Sequence, residues 1–458
     1  MLSLHKISIN VIGNQKNSEM RFDELNLIEP ILKALEEKNY TEPTKIQEKA
    51  IPIILKRQDV LGSAQTGTGK TAAFAIPIIQ LIHQIEKKKN GFPKIRALIV
   101  TPTRELAIQI DDNIKSYSKH TIVKHTVIFG GVKQHEQVRK LKKGVHVLVA
   151  TPGRLLDLID QGYITLRDIK MFILDEADRM LDMGFINDIR KLLKLLPEER
   201  QSLFFSATMP KNILELSKKI LKNPKKIEVN PTSSAAETIQ QYIYYTNRTS
   251  KRDLLHYILQ DDRIEQVLLF SRTKRGADRI TKNLKKVNIP SAAIHGDKAQ
   301  NQRQKALKQF KDGKIKVLVA TDIAARGIDI DQLKYVINYD ISNEAETYVH
   351  RIGRSGRAGK EGIAISLCEP EENAYVKDVE RLIKKKITVI KDHPFPQTDK
   401  PMTEKEKKAW NKEKQARKQA FFANRKKQGG GGRGRRQGGG SNSKQGGGNK
   451  SGSRGRRR

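Results

Sequence analysis

The run Ala64-Gln65-Thr66-Gly67-Thr68-Gly69-Lys70-Thr71 combines small residues with one ammonium and several hydroxyls. Small residues let successive backbone N–H groups turn toward a single anion, Lys70 can reach its outer phosphates, and Thr71 can hold Mg²⁺. Ala64 stands where the usual phosphate-loop pattern has glycine. Further on, Met171-Phe172-Ile173-Leu174 ends in Asp175-Glu176-Ala177-Asp178. Hydrolysis of a Mg²⁺·nucleotide needs such carboxylates: Asp175 for the metal, often through water, and Glu176 to orient or deprotonate the attacking water. Leu203-Phe204-Phe205 then runs into Ser206-Ala207-Thr208, whose hydroxyls can bond Asp178 and relay the nucleotide state. The plainer alternatives are a Gly/Thr-rich turn and an acidic helix N-terminus. The pairing of Lys70 with Asp175 and Glu176 in one chain argues against both.

Those groups act together only if the fold converges them. Apolar residues at Ile51, Ile53, Ile54, Leu55 and Val60-Leu61 precede the loop and Ala72-Ala73-Phe74-Ala75-Ile76 follows it, so the glycines are expected between a strand and a helix start. Ile95 to Val100 ends in Thr101-Pro102-Thr103-Arg104-Glu105-Leu106-Ala107, Val127-Ile128-Phe129 runs into Gly130-Gly131, and Val145 to Ala150 runs into Thr151-Pro152-Gly153-Arg154. Each reads as a buried parallel strand before a small or basic loop, and ligands gather at the carboxyl ends of such strands. Hydroxyls, glycine N–H groups, Arg104 and Arg154 would there face a phosphodiester backbone. Upstream, Tyr40 to Gln47 is a turn through Pro43 into a short helix. Tyr40 offers a face to stack on a base. Gln47 offers the donor and acceptor that adenine's N6 and N7 edge requires, although surface solvation explains a lone Gln equally well.

A polar stretch at Asn230-Pro231-Thr232-Ser233-Ser234 interrupts the pattern, and a second alternation follows. Val267 to Phe270 precedes Ser271-Arg272-Thr273, Ala292 to Ile294 precedes His295-Gly296, Ile315 to Ala320 precedes Thr321-Asp322, and Tyr335-Val336-Ile337 comes after. This predicts a second α/β sheet without a phosphate loop. Its loops carry Arg326-Gly327-Ile328-Asp329 and His350 to Arg357, where arginines spaced by three suit bidentate contacts to phosphate oxygens. A cationic loop that only binds RNA is the competing reading. His295 and His350 read as hydrogen-bonding loop residues, because no partner ligands stand nearby at metal spacing.

At 458 residues the chain is long enough for about two or three domains. Its 88 Lys and Arg against 51 Asp and Glu give a formal charge of +37, a self-repulsion that nucleic acid would neutralise. Residues 401–458 hold 19 of the Lys and Arg against 3 Glu, which concentrates the excess at one end. Cys368 is the only cysteine, so an intramolecular disulfide and a cysteine metal cluster are excluded, and a reducing, cytoplasmic home fits. No apolar run approaches the roughly 18 residues of a membrane span, and Met1 to Met20 has no signal-peptide core.

In order, Gln47, Ala64–Thr71, Pro102–Ala107, Gly130-Gly131, Thr151–Arg154, Asp175–Asp178, Ser206–Thr208, Gln300 with Arg303, Thr321–Asp329 and His350–Arg357 stand at family spacing. Over roughly residues 20 to 390 the chain resembles the DEAD-box ATP-dependent RNA helicases, closest to the bacterial RhlE type. Two departures are mild: Asn39 stands where glycine is common, and Tyr40 replaces Phe. The resemblance implies two RecA-like domains with parallel sheets that close on ATP and Mg²⁺. Tyr40 would stack on adenine with Gln47 reading its edge, while the loop from Ala64 through Gln65, Thr66, Gly67, Thr68 and Gly69 to Lys70 and Thr71 holds the phosphates. Closure would bring Asp329 to the ribose and Arg354 and Arg357 to the γ-phosphate, with Asp178, Ser206, Thr208 and His350 coupling the sites. Single-stranded RNA would cross both domains against Arg104, Gly130, Gly131, Thr151, Arg154, Arg272 and Thr321, bent so that a short duplex loses one strand.

The expected organisation is a disordered extension or mis-assigned start over 1–19, an ATP-binding domain over 20–228 with the glutamine motif at 20–48, and a linker over 229–238. A second helicase domain over 239–390 and a basic Gly/Arg-rich low-complexity tail over 391–458 follow. The tail cannot bury a core and suits sequence-tolerant RNA binding, the alternative being a solubilising role. Expected partners are RNA single strands and short duplexes, in ribosomal precursors or with the RNA-decay machinery; a monomer without membrane contact is expected. A protein that chiefly binds and anneals RNA through its tail is the competing class. The intact Lys70, Asp175, Glu176, Arg354 and Arg357 favour the enzyme.

Overall fold

Short runs that are apolar at every position become the central strands. Ala97–Val100, Val147–Ala150 and Met171–Leu174 are buried along their whole length, as parallel strands covered on both faces must be. The computed structural model describes residues 20–64, 67–88, 91–229, 239–325, 333–356 and 362–401, with isolated positions up to 416. Gln65, Thr66, Asp329, Arg357, the 1–19 segment, residues 230–238 and most of the basic tail lie outside them.

The first sheet is built from β1 (Val60–Ala64), β2 (Ala97–Val100), β3 (His125–Ile128), β4 (Val147–Ala150), β5 (Met171–Leu174), β6 (Gln201–Ser206) and β7 (Lys225–Val229). Their order is β3-β4-β2-β5-β6-β1-β7, and every pairing is parallel. The connecting helices are α1 (Glu29–Glu36), α2 (Lys45–Leu55), α3 (Lys70–Glu86), α4 (Arg104–Tyr117), α5 (His135–Lys142), α6 (Pro152–Asp160), α7 (Ala177–Asp182), α8 (Ile186–Leu195) and α9 (Lys211–Ile220). Side chains alternate between the faces with a period of two. Ile99, Val149, Ile173 and Leu203 pack with α2 to α4, whereas Leu98, Leu148, Phe172 and Phe204 pack with α6, α8 and α9. With all strands parallel, every loop that follows a strand emerges on one edge, so the motif loops converge.

The second sheet repeats the plan with β8 (Ile239–Tyr245), β9 (Val267–Phe270), β10 (Ser291–Ile294), β11 (Val317–Ala320), β12 (Tyr335–Asn338), β13 (Gly362–Cys368) and β14 (Thr388–Val389). Its order, β10-β11-β9-β12-β13-β8-β14, matches the first sheet strand for strand, again all parallel. The packed chain runs on to Asp399, past the boundary expected at Lys391. Phe395 packs edge-on to Tyr257 at 6.5 Å, and Asn247 Oδ1 accepts the N–H groups of Thr398 and Asp399, each at 2.9 Å. One aromatic between two prolines anchors the segment without any periodic pattern to announce it. At the other end, Val229, expected as the first linker residue, is a buried residue of β7.

Candidate functional site

The phosphate loop leaves β1 at Ala64, and Gly67 and Gly69 take φ values of 88° and 92°, which only glycine adopts without strain. A Cβ on Gly69 would stand 2.5 Å from Gln47 Nε2 and 2.8 Å from Thr44 Oγ1. α3 starts at Lys70, whose buried ammonium donates to the Ala64 carbonyl at 2.8 Å. Gln47 serves this loop from α2. Its Oε1 accepts the Thr44 N–H at 3.0 Å and its Nε2 donates to the Gly69 carbonyl at 3.1 Å. Those bonds leave the amide one N–H and one lone pair. Tyr40 is partly exposed and lies nearly parallel to Phe22, with ring centroids 6.5 Å apart. Asn39 before it takes φ 56°, which explains why glycine is common there and why asparagine replaces it without harm.

One cleft of about 630 Å³ gathers Tyr40, Gln47, Gly67, Lys70, Thr71, Asp175 and Glu176. Asp175 follows the buried β5, and burial pushes its carboxyl up to about 6 against the pull of Lys70. Glu176 has φ 54° and ψ 50°, an unusual conformation for a side-chain-bearing residue, of the kind that functional sites hold at about 1–3 kcal/mol. Its Oε2 accepts from Arg179 at 2.8 Å, with both side chains buried. Sequence reasoning passed over Arg179; its i,i+3 spacing from Glu176 was the available signal. Asp178 Oδ2 accepts the N–H groups of Ala207 and Thr208 at 3.2 and 3.0 Å and the Thr208 hydroxyl at 3.1 Å. Ser206 Oγ accepts the Asp178 N–H at 3.2 Å and donates to the Thr208 carbonyl at 2.8 Å.

The hard oxygens of Thr71 and Asp175 in one cleft fit Mg²⁺, which takes one or two carboxylates and completes its shell with water and phosphate. Among the described residues no group of three His, Cys, Asp or Glu could form an all-protein metal cage.

A second cleft of about 570 Å³ lies between the domains, lined by Arg104, Gly130, Thr151 and Arg154 on one side and Gly296, Arg303 and Ile323 on the other. Burial lowers the pKa of Arg104, with Arg303 and Arg154 adding repulsion against the pull of Glu105. Gly131 has φ 76°, and a Cβ there would collide with the Arg104 guanidinium. Glu105 accepts from Gln300 Nε2 at 2.9 Å and pairs with Arg303 at 2.8 Å, while Arg104 donates to Gln300 Oε1 at 3.5 Å. Gln300 and Arg303 thus join the two domains.

Arg272 does not line this cleft. It donates to the Ile341 carbonyl at 2.8 Å and to Glu372 at 2.5 Å. Thr321 is buried beside the start of the helix Asp322–Ala325. Arg354 lines neither cleft but a small cavity with Arg179, Asp322, His350 and Arg351, the last paired with Asp322 at 2.5 Å. His295 is buried 3.1 Å from Asp278, a polar contact within its own domain.

Comparison with known proteins places this geometry. Residues 44–216 match the DEAD/DEAH box helicase family and residues 250–359 the helicase conserved C-terminal domain. The ATP-dependent RNA helicase CshA of Listeria monocytogenes is 44% identical over 369 residues, 80% of this chain and 69% of that protein. The DEAD-box ATP-dependent RNA helicase RhpA of Helicobacter pylori is 45% identical over 351 residues, 77% of this chain and 70% of that one. Among solved structures, S. cerevisiae Dbp5 bound to RNA and ADP BeF3 superposes with a TM-score of 0.71 at 31% identity, covering 81% of this chain and 95% of that one. Two matched halves, each with its own parallel sheet, show that this chain belongs to the DEAD/DEAH box helicases.

Proposed function

We propose that the chain is an RNA-dependent ATPase whose two domains close on ATP and single-stranded RNA and locally separate short duplexes. The observation that carries this reading is the convergence of Lys70, Asp175 and Glu176 in one cleft, next to a cationic cleft that the Glu105–Arg303 pair spans. The relatives' names and the RNA and ADP BeF3 bound to Dbp5 support the same substrates.

In this mechanism the loop N–H groups and Lys70 bind the outer phosphates, with Lys70 exchanging its bond to Ala64 for a phosphate oxygen. Mg²⁺, held by Thr71 and Asp175, would neutralise charge on those phosphates. Glu176, held by Arg179 through Oε2, orients or deprotonates the attacking water, and the Glu176 backbone bend fixes its aim. Gln47 and Tyr40 take the base. Asp329 takes the ribose, and Arg354 with Arg357 completes the γ-phosphate contacts on closure, where an arginine finger is worth about 10³–10⁵ in rate. Asp178, held by Ser206 and Thr208, and His350, beside Arg354, couple nucleotide state to RNA contact. RNA follows Arg104, Gly130, Gly131, Thr151 and Arg154 into the second domain at Thr321 and Arg272.

Within the family, the placement near the RhlE type rests on the motif set over roughly residues 20 to 390; relatives named CshA and RhpA do not carry it. No helix of the described residues is long and apolar enough to cross a membrane, and we place the protein in the cytoplasm as a monomer. Ribosomal precursors and the RNA-decay machinery are the proposed settings. Phosphate release with and without RNA, and strand displacement from a labelled short duplex, test the activity. An ATPase rate indifferent to RNA sinks it.

A further inference from the structure

β10 is an edge strand, and beside it opens a groove of about 640 Å³ separate from both clefts described above. Its floor is small: Ala292 and Ala293 of β10, with Thr281 and Ala306 from the flanking helices Lys274–Lys286 and Gln300–Lys311. Lys282, Lys285 and Lys286 stand on the first helix, Lys305 on the second and Lys298 in the loop between β10 and the second helix. Lys298 pairs with Asp278 at 2.8 Å. The other four are exposed, and their ammonium groups make no ion pair or hydrogen bond among the described residues.

Lysines beside an edge strand also discourage strand pairing with another chain. The matching edge of the first sheet shows that the fold does not require so one-sided a charge. There α4 carries Asp111 and Asp112 seven and eight residues from its start, and Asp111 bonds His125 of β3 at 2.6 Å. The equivalent positions on the helix Lys274–Lys286 are Thr281 and Lys282.

The lining also indicates the kind of partner. Protein interfaces are poor in lysine at their centres and rely on aromatic or large apolar anchors in pockets, and none lines this groove. Ammonium groups over a floor of alanine and threonine instead suit a chain of phosphates read without regard to base. The groove and the inter-domain cleft are lined from the same two elements: in the loop after β10 Gly296 lines the cleft and Lys298 the groove, and on the helix Gln300–Lys311 Arg303 lines the cleft and Lys305 the groove.

We propose that this groove binds the phosphate backbone of RNA that continues out of the inter-domain cleft, so that the second domain holds a flanking segment of the strand. The proposal rests on the reading of RNA as partner. It is tested in the full chain with Lys282, Lys285, Lys286 and Lys305 all changed to Gln, and with the same four changed to Arg. Binding is measured against salt for a short RNA of about eight nucleotides and a long one of about thirty. With about three of the four cations engaged, the Gln variant should show a salt slope shallower by about two units on the long RNA. Its affinity for that RNA should fall about tenfold, binding of the short RNA should stay as in the parent, and the Arg variant should restore both. Equal behaviour of the Gln variant and the parent on the long RNA overturns the proposal, and light scattering that rises in that variant alone would assign the lysines to edge protection. Equal losses on both RNAs also overturn it, by reducing the effect to overall charge. Polyglutamate that displaces the long RNA from the parent but not from the Gln variant, with an unchanged salt slope, would give the groove to an acidic protein segment. A parent that binds neither RNA defeats the functional reading itself, a result distinct from all of these.

Discussion

The two sheets share one strand order, and in both the helix after the first strand opens with a buried lysine, Lys70 after β1 and Lys251 after β8. Among the described residues Lys70 donates to a backbone carbonyl and to no carboxylate, beside glycines and an open cleft. Lys251 lies 2.8 Å from Glu372, with Asp340 at 3.8 Å and Glu369 at 3.9 Å. Glu372 is itself almost fully buried; burial raises its pKa, Lys251 pulls it back, and Arg272 and the Ile341 N–H bond its other oxygen. Residues 397–399 also run against the loop after β8, through Thr246 and Asn247, where the first domain keeps its phosphate loop. One topology thus places a cation at the same point twice. The first copy leaves its partner to an exchangeable anion, and the second supplies a built-in carboxylate. Fold alone does not make a nucleotide site; glycine N–H groups and an unclaimed cation do.

The comparison breaks most sharply at Lys70. Lys70→Ala should abolish ATP hydrolysis, a loss of at least about 10³-fold, while Glu176→Gln should bind ATP and RNA and fail to turn over. Phosphate release and filter binding read the two apart, and parental turnover in Glu176→Gln would refute its role in orienting water. Lys251→Ala should leave the first site's chemistry intact and leave the buried Glu372 with Arg272 as its remaining cation, at up to about 3–5 kcal/mol of second-domain stability. Replacing Lys251 and Glu372 together by Met should cost clearly less. Cys368, buried with its thiol pKa pushed well up by that burial, reports the difference: it should resist thiol reagents in the parent and react in Lys251→Ala. An unreactive thiol at unchanged stability would mean that the acid cluster is not balanced by Lys251.

Gln47→Ala sharpens the same contrast, because the phosphate loop has an amide bracing it from α2. ATP affinity should fall about tenfold more than GTP affinity, by calorimetry or competition, for the loss of about one base-reading hydrogen bond to a charged-site ligand. Equal losses for both nucleotides would confine Gln47 to supporting the loop. Truncation after Pro401 should have the smallest effect on the fold, with both domains melting as before and the maximal ATPase rate kept. The salt slope of RNA binding should become shallower by about three to four units if roughly five tail cations engage phosphates. An unchanged slope would leave the tail a solubilising role.

Strands that are apolar at every position, such as Val147–Ala150 and Met171–Leu174, were legible because nothing else explains four consecutive buried side chains. The phosphate loop and the Asp175–Asp178 run were legible because their chemistry is local. β8 was not read: Ile239–Tyr245 has two adjacent glutamines and three tyrosines around two isoleucines and lies near the sheet's margin, so its pattern resembles a surface. Nothing near Lys251 in the sequence announces its burial, since Glu372 stands 121 residues away. Gln300 and Arg303 were visible as a motif, but their role was not, because Glu105 lies 195 residues from Gln300. Long-range polar pairing leaves no period in the sequence, and one aromatic such as Phe395 leaves none either.

The first turn of α4 puts Arg104 and Glu105 side by side, one in the cationic cleft and the other on Arg303 of the second domain. A strand that moves Arg104 therefore acts on the same turn that carries the domain bridge. Linkage makes such coupling symmetric: whatever factor RNA contributes to closing the domains, closing returns to RNA affinity. Weakening the Glu105–Arg303 pair would then loosen the grip on RNA without touching a nucleotide, and RNA analogues that miss Arg104 would occupy the cleft while leaving the domains ajar.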